Sequence, residues 1–410
     1  MSNVGLVPTG SKRKVFNAAL FAQATQERTL TNDLTSMAKP IGKGTGQIGK
    51  TQTDATHPVV RVNDLKSEKG DTVGIDIVHP ITGKPVMGDN KLAGKGSKIS
   101  MGTTEIKVNQ GRKMVEDGGN VLKRLTSHNR KEIANLLLGQ YYNEFDELTT
   151  IYHLLGARGT YTIHDDKVPL ETDPDYASIM VNDVLAPSYS RHMYAGDATS
   201  FDNLDSADRF SLEVVDNLSL YLKELSVPIR PIILPEATKA GHDPFYLQYV
   251  TARQWADMEE SATYKDFQQM VANASKRAAG FNHTLFRGDI LMKGNILIRQ
   301  MPRAVGWRPG DIAQVSLNQA NAATQPLEAK AHIHRSVLLG GQAMGLAFGA
   351  NDKVKSQFNI TEKSEDHDNV NEISIAWVNG KQALRLPDAK GWLHDTGRII
   401  VDTAVNDKNL

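Results

Sequence analysis

The stretch from Asn120 to Gly156 has the apolar spacing of one long helix, and this constrains the chain more than any other feature. Its apolar residues recur mostly every three, four or seven positions, which is the period of one helical face. Asn120 can act as the N-cap, and Gly156 lies where a left-handed C-cap is expected. One continuous helix here would be about 50 Å long, so we expect it to organise its domain.

The two faces of this predicted helix differ in character. We expect the apolar face to pack in the core and the charged face to lie toward solvent or a neighbouring molecule. The predicted core face consists of Leu122, Leu125, Ile133, Leu136, Leu137, Tyr141, Leu148, Tyr152 and Leu155. The charged face carries Lys123, Arg124, Arg130, Glu132, Asn143, Glu144 and Glu147.

Composition bounds the class of protein. With 410 residues, the chain is long enough for two or three domains. It has no apolar run near 18 residues, so we expect no membrane span. No apolar core follows the basic residues 12–14, so we expect no secretory signal. The chain has no cysteine, which excludes disulfides and thiolate zinc sites.

The formal charge of the chain is zero, but it is unevenly distributed. Residues 1–131 hold 21 Lys/Arg and 11 Asp/Glu, a net charge of +10, and residues 132–410 carry −10. Such halves can attract each other between neighbouring copies, or the basic part can face a polyanion. Solvated faces without a partner would give the same distribution.

Residues 1–60 have the composition of an extended arm. Phe16–Ala24 is predicted to form a short helix, and the residues after it are rich in glycine and lack apolar periodicity. A segment of this kind cannot bury enough surface to order itself. We therefore predict that it is disordered or lies on another surface.

One segment of this arm matches the sequence pattern of a phosphate-binding loop. Gly44–Thr51 matches GxxxxGK[ST], in which Lys50 and Thr51 would contact phosphate and magnesium. That chemistry needs a buried strand before the loop and a helix after it. Residues 35–41 make a poor strand and residues 52–58 offer no helix, while a possible partner, Asp402, lies near the C-terminus. We expect no nucleotide site here.

Residues 61–115 are predicted to form a long β-hairpin. Val73, Ile75 and Ile77 alternate with other residues, and a return strand is expected over about 98–108. The connection exceeds the usual 2–5 residues of a hairpin loop. It carries the lysines Lys84, Lys91, Lys95 and Lys98. A projecting two-stranded ribbon is marginal alone in water, so we expect it to pack on a neighbour or to be a surface flap.

The rest of the chain is predicted to be a mixed α+β body with closing strands. The polar residues 350–370 are expected to form a loop. Helices are predicted over 176–185, 207–225, 252–258, 264–279 and 339–347, and strands over 245–250, 290–292, 296–301, 373–378, 383–386 and 397–401.

Candidate catalytic and metal-ligating residues are few. His332 and His334 would lie on one side of a strand, but no acidic residue accompanies them at ligand spacing. The pairs Asp165–Asp166 and Glu259–Glu260 are adjacent residues, which point apart on a strand and make poor acid/base partners. We assign no catalytic, cofactor-binding or metal residue, and no cofactor.

The order of the parts, with several short motifs, carries a resemblance that spans about residues 15–405. The motifs are Val86–Asn90, Glu116–Gly119, Phe245–Leu247 with Trp255, Tyr264–Phe267, Gln300–Arg303, Val337–Ala343 and Asp395–Arg398. Together they resemble the major capsid proteins of tailed phages, and more specifically the Enquatro-type podophage family. Two stretches, 42–50 and Gly380–Arg385, depart from the family pattern.

The resemblance implies an α+β fold of the Hong Kong 97 type. Its parts would be an N-terminal arm (1–60), an extended loop (61–115), a peripheral domain with the spine helix (116–158), an axial domain with connecting elements (159–345), and closing strands of the peripheral domain (346–410). The resemblance also implies a structural, non-enzymatic role. Hexamers and pentamers of the chain would close an icosahedral shell around double-stranded DNA.

The partners that the resemblance implies are other copies of the chain, scaffolding and portal proteins, a decoration protein, and packaged DNA held by non-specific contact. No membrane is involved, and the virion shell would assemble in the cytoplasm of the bacterial host. Two other functions remain open from the residues alone. One is a nucleotide-binding protein that uses Gly44–Thr51, and the other is a nucleic-acid-binding protein that uses the basic N-terminal region.

Overall fold

The computed structural model describes residues 30–35, 57–65, 72–78, 84–91, 94, 101–119, 130–161, 167–233, 245–278, 289–349, 358–365, 367, 370–388 and 391–406. The predicted α+β class is confirmed within these residues. The arm helix predicted over Phe16–Ala24, the motif Gly44–Thr51 and the predicted cap Asn120 lie outside them. None of the described helices is long and apolar enough to cross a membrane.

Six α-helices are described. They are α1 (Leu30–Asp33), α2 (Arg130–Leu155), α3 (Tyr176–Met180), α4 (Leu212–Glu224), α5 (Ala252–Ser261) and α6 (Tyr264–Ala278), with single 3₁₀ turns at Tyr189–Arg191 and Phe201–Asn203. The long helix α2 has 26 residues, which is about 39 Å. It ends as predicted, because Gly156 has a φ of 67° and its N–H donates to the Tyr152 carbonyl at 2.8 Å.

Eighteen strands are described, and most fall in two sheets. They are β1 (Val59–Leu65), β2 (Thr72–Val78), β3 (Met101–Lys107), β4 (Asn109–Gly119), β5 (His192–Tyr194), β6 (Tyr246–Val250), β7 (Ile290–Lys293), β8 (Ile296–Gln300), β9 (Gly306–Trp307), β10 (Ile312–Ser316), β11 (Thr324–Glu328), β12 (Ile333–Leu339), β13 (Met344–Gly349), β14 (Phe358–Glu365), β15 (Val370–Ala383), β16 (Arg385–Pro387), β17 (Leu393–Asp395) and β18 (Arg398–Ala404).

The first sheet, which we name the peripheral sheet, has the order β1-β13-β15-β14, and β4 pairs with β15 as well. The same residues of β15 pair with both β14 and β4, so β15 lies between them. Helix α2 packs on one face of this sheet. Tyr142 and Phe145 pack against Trp377 in tilted geometry with ring centroids 5.4 Å apart, and Tyr142 also contacts Phe358.

The second sheet, which we name the central sheet, has the order β5-β18-β12-β6-β8-β7, with the short β9 also paired to β12. Its middle strands β12 and β18 are antiparallel and buried at every residue. Because successive side chains of a strand point to opposite faces, burial of every residue means that both faces of these strands are covered. Three two-stranded hairpins, β2–β3, β10–β11 and β16–β17, complete the fold.

The orientation predicted for the long helix is wrong in its N-terminal half. Ile133, Leu136 and Leu137 are 46%, 56% and 51% exposed, whereas Leu138 is 1% exposed. The residues buried there are Ala134, Leu138, Tyr142 and Phe145. The helix has two apolar faces in its N-terminal half. The peripheral sheet covers the face with Ala134, Leu138 and Tyr142, and not the predicted face with Ile133, Leu136 and Leu137.

Two element predictions in the C-terminal part are also wrong. The small-residue segment 339–347 is not a helix but the end of β12, a turn and the start of β13. Two glycines permit close approach between chain segments here. A side chain at Gly340 would collide with the Arg230 carbonyl, and a side chain at Gly397, on the neighbouring turn, would collide with the Gly341 carbonyl. Within the predicted loop 350–370, residues 358–365 form β14.

Candidate functional site

The C-terminal end of α2 meets the central sheet through two buried arginines. Arg398, at the start of β18, donates to the carbonyls of His153 and Leu154 at 2.7 and 3.1 Å. Arg335, on β12, donates to the Leu155 carbonyl at 3.3 Å. The last carbonyls of a helix lack partners in the helix and carry partial negative charge. The two guanidinium groups therefore anchor the long helix to the central sheet, and we name this contact the arginine junction.

A carboxylate on β18 holds Arg335 in place. Asp402 accepts hydrogen bonds from the Nε and Nη2 atoms of Arg335, both at 2.7 Å, and it is also 2.7 Å from Nε2 of His192. Burial alone would raise the pKa of Asp402, but Arg335 and then His192 outweigh it and lower the pKa to about 2. The pair is therefore ionised at neutral pH, in the two-pronged geometry that favours arginine.

A second carboxylate holds Arg398. Asp395 lies 3.3 Å from Arg398 and 2.8 Å from Arg385, and it accepts the Ser188 backbone N–H at 2.9 Å. Thr396, which lies between Asp395 and Arg398 in the sequence, donates its hydroxyl hydrogen to the Gln342 carbonyl at 2.5 Å. Two of the motifs that carried the family resemblance, 337–343 and 395–398, thus contact each other, and the second also contacts the end of the long helix.

The stretch Gly380–Arg385, which departs from the family pattern, contacts both the long helix and the arginine junction. Lys381 is buried and donates to the Asp146 carbonyl and the Thr149 hydroxyl of α2 at 2.6 and 2.7 Å. Gly380 allows the Lys107 carbonyl to approach so closely that a side chain would collide with it. Arg385 reaches the arginine junction through Asp395.

The hairpin predicted over 61–115 is confirmed as a ribbon of β2 and β3, with Thr72 opposite Lys107 and Val78 opposite Met101. Its flanks belong elsewhere, because β1 pairs with β13 and β4 pairs with β15. Val73 and Ile106, at the base of the ribbon, are buried against the body. The side chain of Asn182 accepts from the Lys107 N–H and donates to its carbonyl, both at 2.9 Å.

The described part of the connecting loop is exposed. Met87 is 72% exposed, and Gly88 next to it adopts a φ of 66°. Lys84 and Lys91 are exposed at either side, whereas Lys95 and Lys98 lie outside the described residues. The ribbon therefore has an ordered attachment to the body and an uncovered apolar side chain in the loop.

The two histidines weighed as metal ligands do not form a described metal site. His334 is buried on β12, and its Nδ1 is 3.0 Å from the Thr251 hydroxyl. No group of three His, Cys, Asp or Glu suited to a metal occurs among the described residues. This hydrogen bond satisfies the buried Nδ1 of His334, as expected for a histidine with a structural role.

One of the two acidic pairs lies among the described residues. Asp165–Asp166 lie outside the described residues. On α5, Glu259 accepts from the Trp255 indole N–H at 2.8 Å, and Glu260 lies 3.9 Å from Arg209. These two carboxylates therefore have different partners.

One group has the composition of a hydrolytic triad. Ser190 Oγ lies 2.6 Å from Nδ1 of His394, and Asp388 lies 3.4 Å from its Nε2. The second contact is longer than a good hydrogen bond, and His394 is buried. We interpret the group as a polar link between the hairpin β16–β17 and the turn at Ser190.

The described residues nearest to Gly44–Thr51 are Thr35 before it and His57 after it. The described element before the motif is the single-turn helix α1, and the element after it is β1. Thr35 bridges directly to Val59 in parallel, so the two ends of the intervening segment lie side by side. The proposed partner Asp402 is fully buried and engaged by Arg335.

Buried histidines make the fold sensitive to acid. Burial, with smaller effects from Lys381 and Arg398, lowers the pKa of His153 from 6.5 to about 3, and burial lowers that of His334 to about 4. The unfolded chain takes up these protons near pH 6.5. The stability that comes from keeping these histidines neutral is therefore fully present above about pH 6.5. It is lost progressively as the pH falls from about 6.5 toward 3.

We expect His153 alone to remove about 3 kcal/mol of stability at pH 4.5, two units below its unfolded pKa. The measurement is chemical denaturation of the wild type and His153→Gln between pH 7.5 and 4.5. The variant should show a shallower loss of stability with acid. Parallel pH profiles of the two proteins would contradict this.

Sequence reasoning did not identify the arginine junction as a site, although a signal was present. The run 398–404 places Arg398 and Asp402 among mostly apolar residues, and a charged residue in a buried strand requires a partner. The sequence does not show that these partners are the end of α2 and Arg335.

Comparisons with known proteins cover nearly the whole chain. The family model described as "Phage capsid protein" matches residues 7–407. No curated protein matches. The capsid of Ralstonia phage GP4 is 22% identical with a TM-score of 0.71, covering 87% of this chain and 90% of that one. The capsid of cyanophage Pam1 is 15% identical with a TM-score of 0.57, covering 85% and 88%.

A third similar structure, the acid-stable capsid of Helicobacter pylori bacteriophage KHP30, is 9% identical with a TM-score of 0.57 and covers 98% of this chain and 99% of that one. These likenesses concern the fold, which is the Hong Kong 97 type expected from the sequence. With the family match over residues 7–407, they establish that the chain belongs to the phage capsid protein family.

Proposed function

We propose that this chain is the major capsid protein of a tailed phage, which forms hexamers and pentamers in an icosahedral head shell around double-stranded DNA. The family match supports the shell role. The structural observation that best supports contacts between copies is the β2–β3 ribbon. Asn182 holds the ribbon to the body through two hydrogen bonds to the Lys107 backbone, and Met87 is exposed in its loop. If copies of the chain bury this ribbon between them, the free energy of that burial is gained only on assembly. Folding of the ribbon would then be coupled to assembly.

The domain division predicted from the sequence is part of this proposal. The arm is 1–60, the extended loop 61–115, the peripheral domain 116–158 with closing strands 346–410, and the axial domain 159–345. In this division the Arg335–Leu155 contact joins the axial and peripheral domains. The pairing of β12 with β18 joins the axial domain to the closing strands. Together these contacts would fix the angle between the two domains in every subunit of the shell.

The proposed role is structural and not enzymatic. The buried charges of the arginine junction are used in ion pairs and helix contacts that hold the fold. The +10 charge of residues 1–131 favours contact with the acidic part of a neighbour or with packaged DNA. Scaffolding, portal and decoration proteins are further proposed partners, and assembly would occur in the cytoplasm of the bacterial host.

Negative-stain microscopy of the purified full chain tests the proposal. We expect closed shells or capsomer-sized rings, and Lys50→Ala should form them with the same yield and without ATP. A monodisperse monomer under all salt conditions would contradict the shell role. ATP hydrolysis that disappears in Lys50→Ala would instead favour the nucleotide-binding alternative. For a nucleic-acid-binding protein, tight DNA binding that weakens steeply with salt is expected without particles.

The ribbon gives a second expectation. Backbone hydrogen exchange in β2 and β3 should be fast in dissociated subunits, because two strands alone bury little surface. It should become slow in the assembled shell, where neighbours cover the ribbon. Strand β12, buried in the central sheet, is the internal control and should be slow in both states. Equal protection of the ribbon in both states would be the contrary result.

A further inference from the structure

One apolar face of α2 is covered along only half of its length. Its positions lie within about 120° of one another around the helix axis, at about 100° per residue. The polar residues Gln140 and Glu144 lie on the same side, between the two halves. Toward the C-terminal end, Leu148, Ile151 and Leu155 are buried. Toward the N-terminal end, the same face presents Ile133, Leu136 and Leu137, which are about half exposed. We name these three residues the open stripe. A contiguous exposed apolar group of this kind marks a contact surface.

The cover of the buried half is supplied in part by the chain's own N-terminal region. Helix α1 packs on α2 there, with Leu30 and Leu34 buried in the shared core. The Leu30 N–H donates to Oε1 of Glu147 at 3.3 Å, and the hydroxyls of Thr31 and Thr150 are 2.9 Å apart. Residue 30 therefore pairs with 147 and residue 31 with 150.

This order fixes the direction of the chain on the helix. Moving forward from Leu30 to Thr31 moves toward the C-terminus of α2, so the two segments run parallel. Moving backward from Leu30 leads toward the N-terminus of α2. A segment that continued backward from Leu30 in this direction would lead toward the open stripe.

We propose that the N-terminal segment of the same subunit, centred on Phe16–Ala24, covers the open stripe. The distance along α2 from Glu147 to Ile133 is 14 residues, about 21 Å. Leu30 is also 14 residues after Phe16, which is enough chain to reach the far end of the stripe even in a helical conformation. The occupant is therefore within reach without any displacement of α1.

The register favours this occupant as well. Leu30 and Glu147 are 117 residues apart. Thr31 and Thr150 are 119 residues apart. Carried backward along the chain, these two offsets bring Phe16, Ala19 and Leu20 within about two residues of Ile133, Leu136 and Leu137, and the two apolar sets have the same spacing. Two parallel helices with such stripes pack at an axis distance of about 8–10 Å. The inference concerns the single subunit and does not depend on shell formation.

Cross-linking tests the proposal, because the chain has no cysteine of its own. The test variant is Ala19→Cys with Leu136→Cys, which keeps Phe16 and Leu20 intact. The matched control is Ala19→Cys with Leu220→Cys, since Leu220 on α4 has the same 56% exposure as Leu136. Thr31→Cys with Thr150→Cys reports that the fold is intact, because those hydroxyls are in contact. The probe is a short bis-maleimide applied to the purified full chain.

We expect the Ala19–Leu136 pair to give a product of single-chain mass at least about tenfold faster than the Ala19–Leu220 pair, because docking raises the effective concentration of the two thiols. Adding Phe16→Ser and Leu20→Ser should remove that difference while the Thr31–Thr150 pair still reacts. Equal rates for the two pairs would overturn the proposal. A product of two-chain mass from the Leu136 variant would also overturn it, because a second copy would then be the cover.

Discussion

Arg398→Met is expected to lower the free energy of unfolding by about 3–5 kcal/mol, because it removes one partner of a buried ion pair. Methionine retains an unbranched apolar chain but cannot donate hydrogen bonds. The carbonyls of His153 and Leu154 would lose their contact with Arg398, and so would the Leu185 carbonyl at 2.7 Å. Each buried acceptor left without a donor costs about 1–3 kcal/mol.

The measurement is denaturant unfolding of the full chain, with particle yield recorded beside it. Arg112→Met on β4 is the matched control, because Arg112 is exposed and the change in charge is the same. We expect the control to lie within about 0.5 kcal/mol of the wild type. A loss below about 1 kcal/mol for Arg398→Met would show that the arginine junction does not hold the helix to the central sheet.

Leu138→Ala is expected to cost about 2–5 kcal/mol, because it leaves a cavity where α2 packs on the peripheral sheet. Leu138 is 1% exposed and belongs to the same core as Tyr142, Phe145 and Trp377. The cost should appear as a lower denaturation midpoint with an unchanged slope. Alanine favours helix at least as well as leucine, so loss of helix propensity would not explain the effect.

Leu220→Ala supplies the control for that change. Leu220 lies on α4 and is 56% exposed, so the same substitution there leaves no cavity and should stay within about 0.5 kcal/mol. Should the two substitutions cost the same, the face of α2 that packs on the sheet would be wrongly assigned.

Family-level features of this chain could be predicted without coordinates. The spacing in the long helix, the alternation in the ribbon and the collinear motifs identified the Hong Kong 97-type fold. The motif 395–398 was part of that resemblance, but its role was not visible. Arg398 contacts residues more than 200 positions earlier in the chain, and local sequence patterns carry no information on such contacts.

The long helix shows the limit most clearly. Its sequence determined that a helix forms and that Gly156 ends it, because backbone period and left-handed capping are local properties. Which face is buried depended on what lies opposite. Residues 133, 136 and 137 and residues 134, 138 and 142 are both apolar at helical spacing, so periodicity alone could not rank them. The peripheral sheet, with Trp377 from the distant strand β15, made that choice. The sequence determined local geometry and family, whereas only the tertiary structure decided the buried face and the partners of the buried charges, since both depend on long-range contacts.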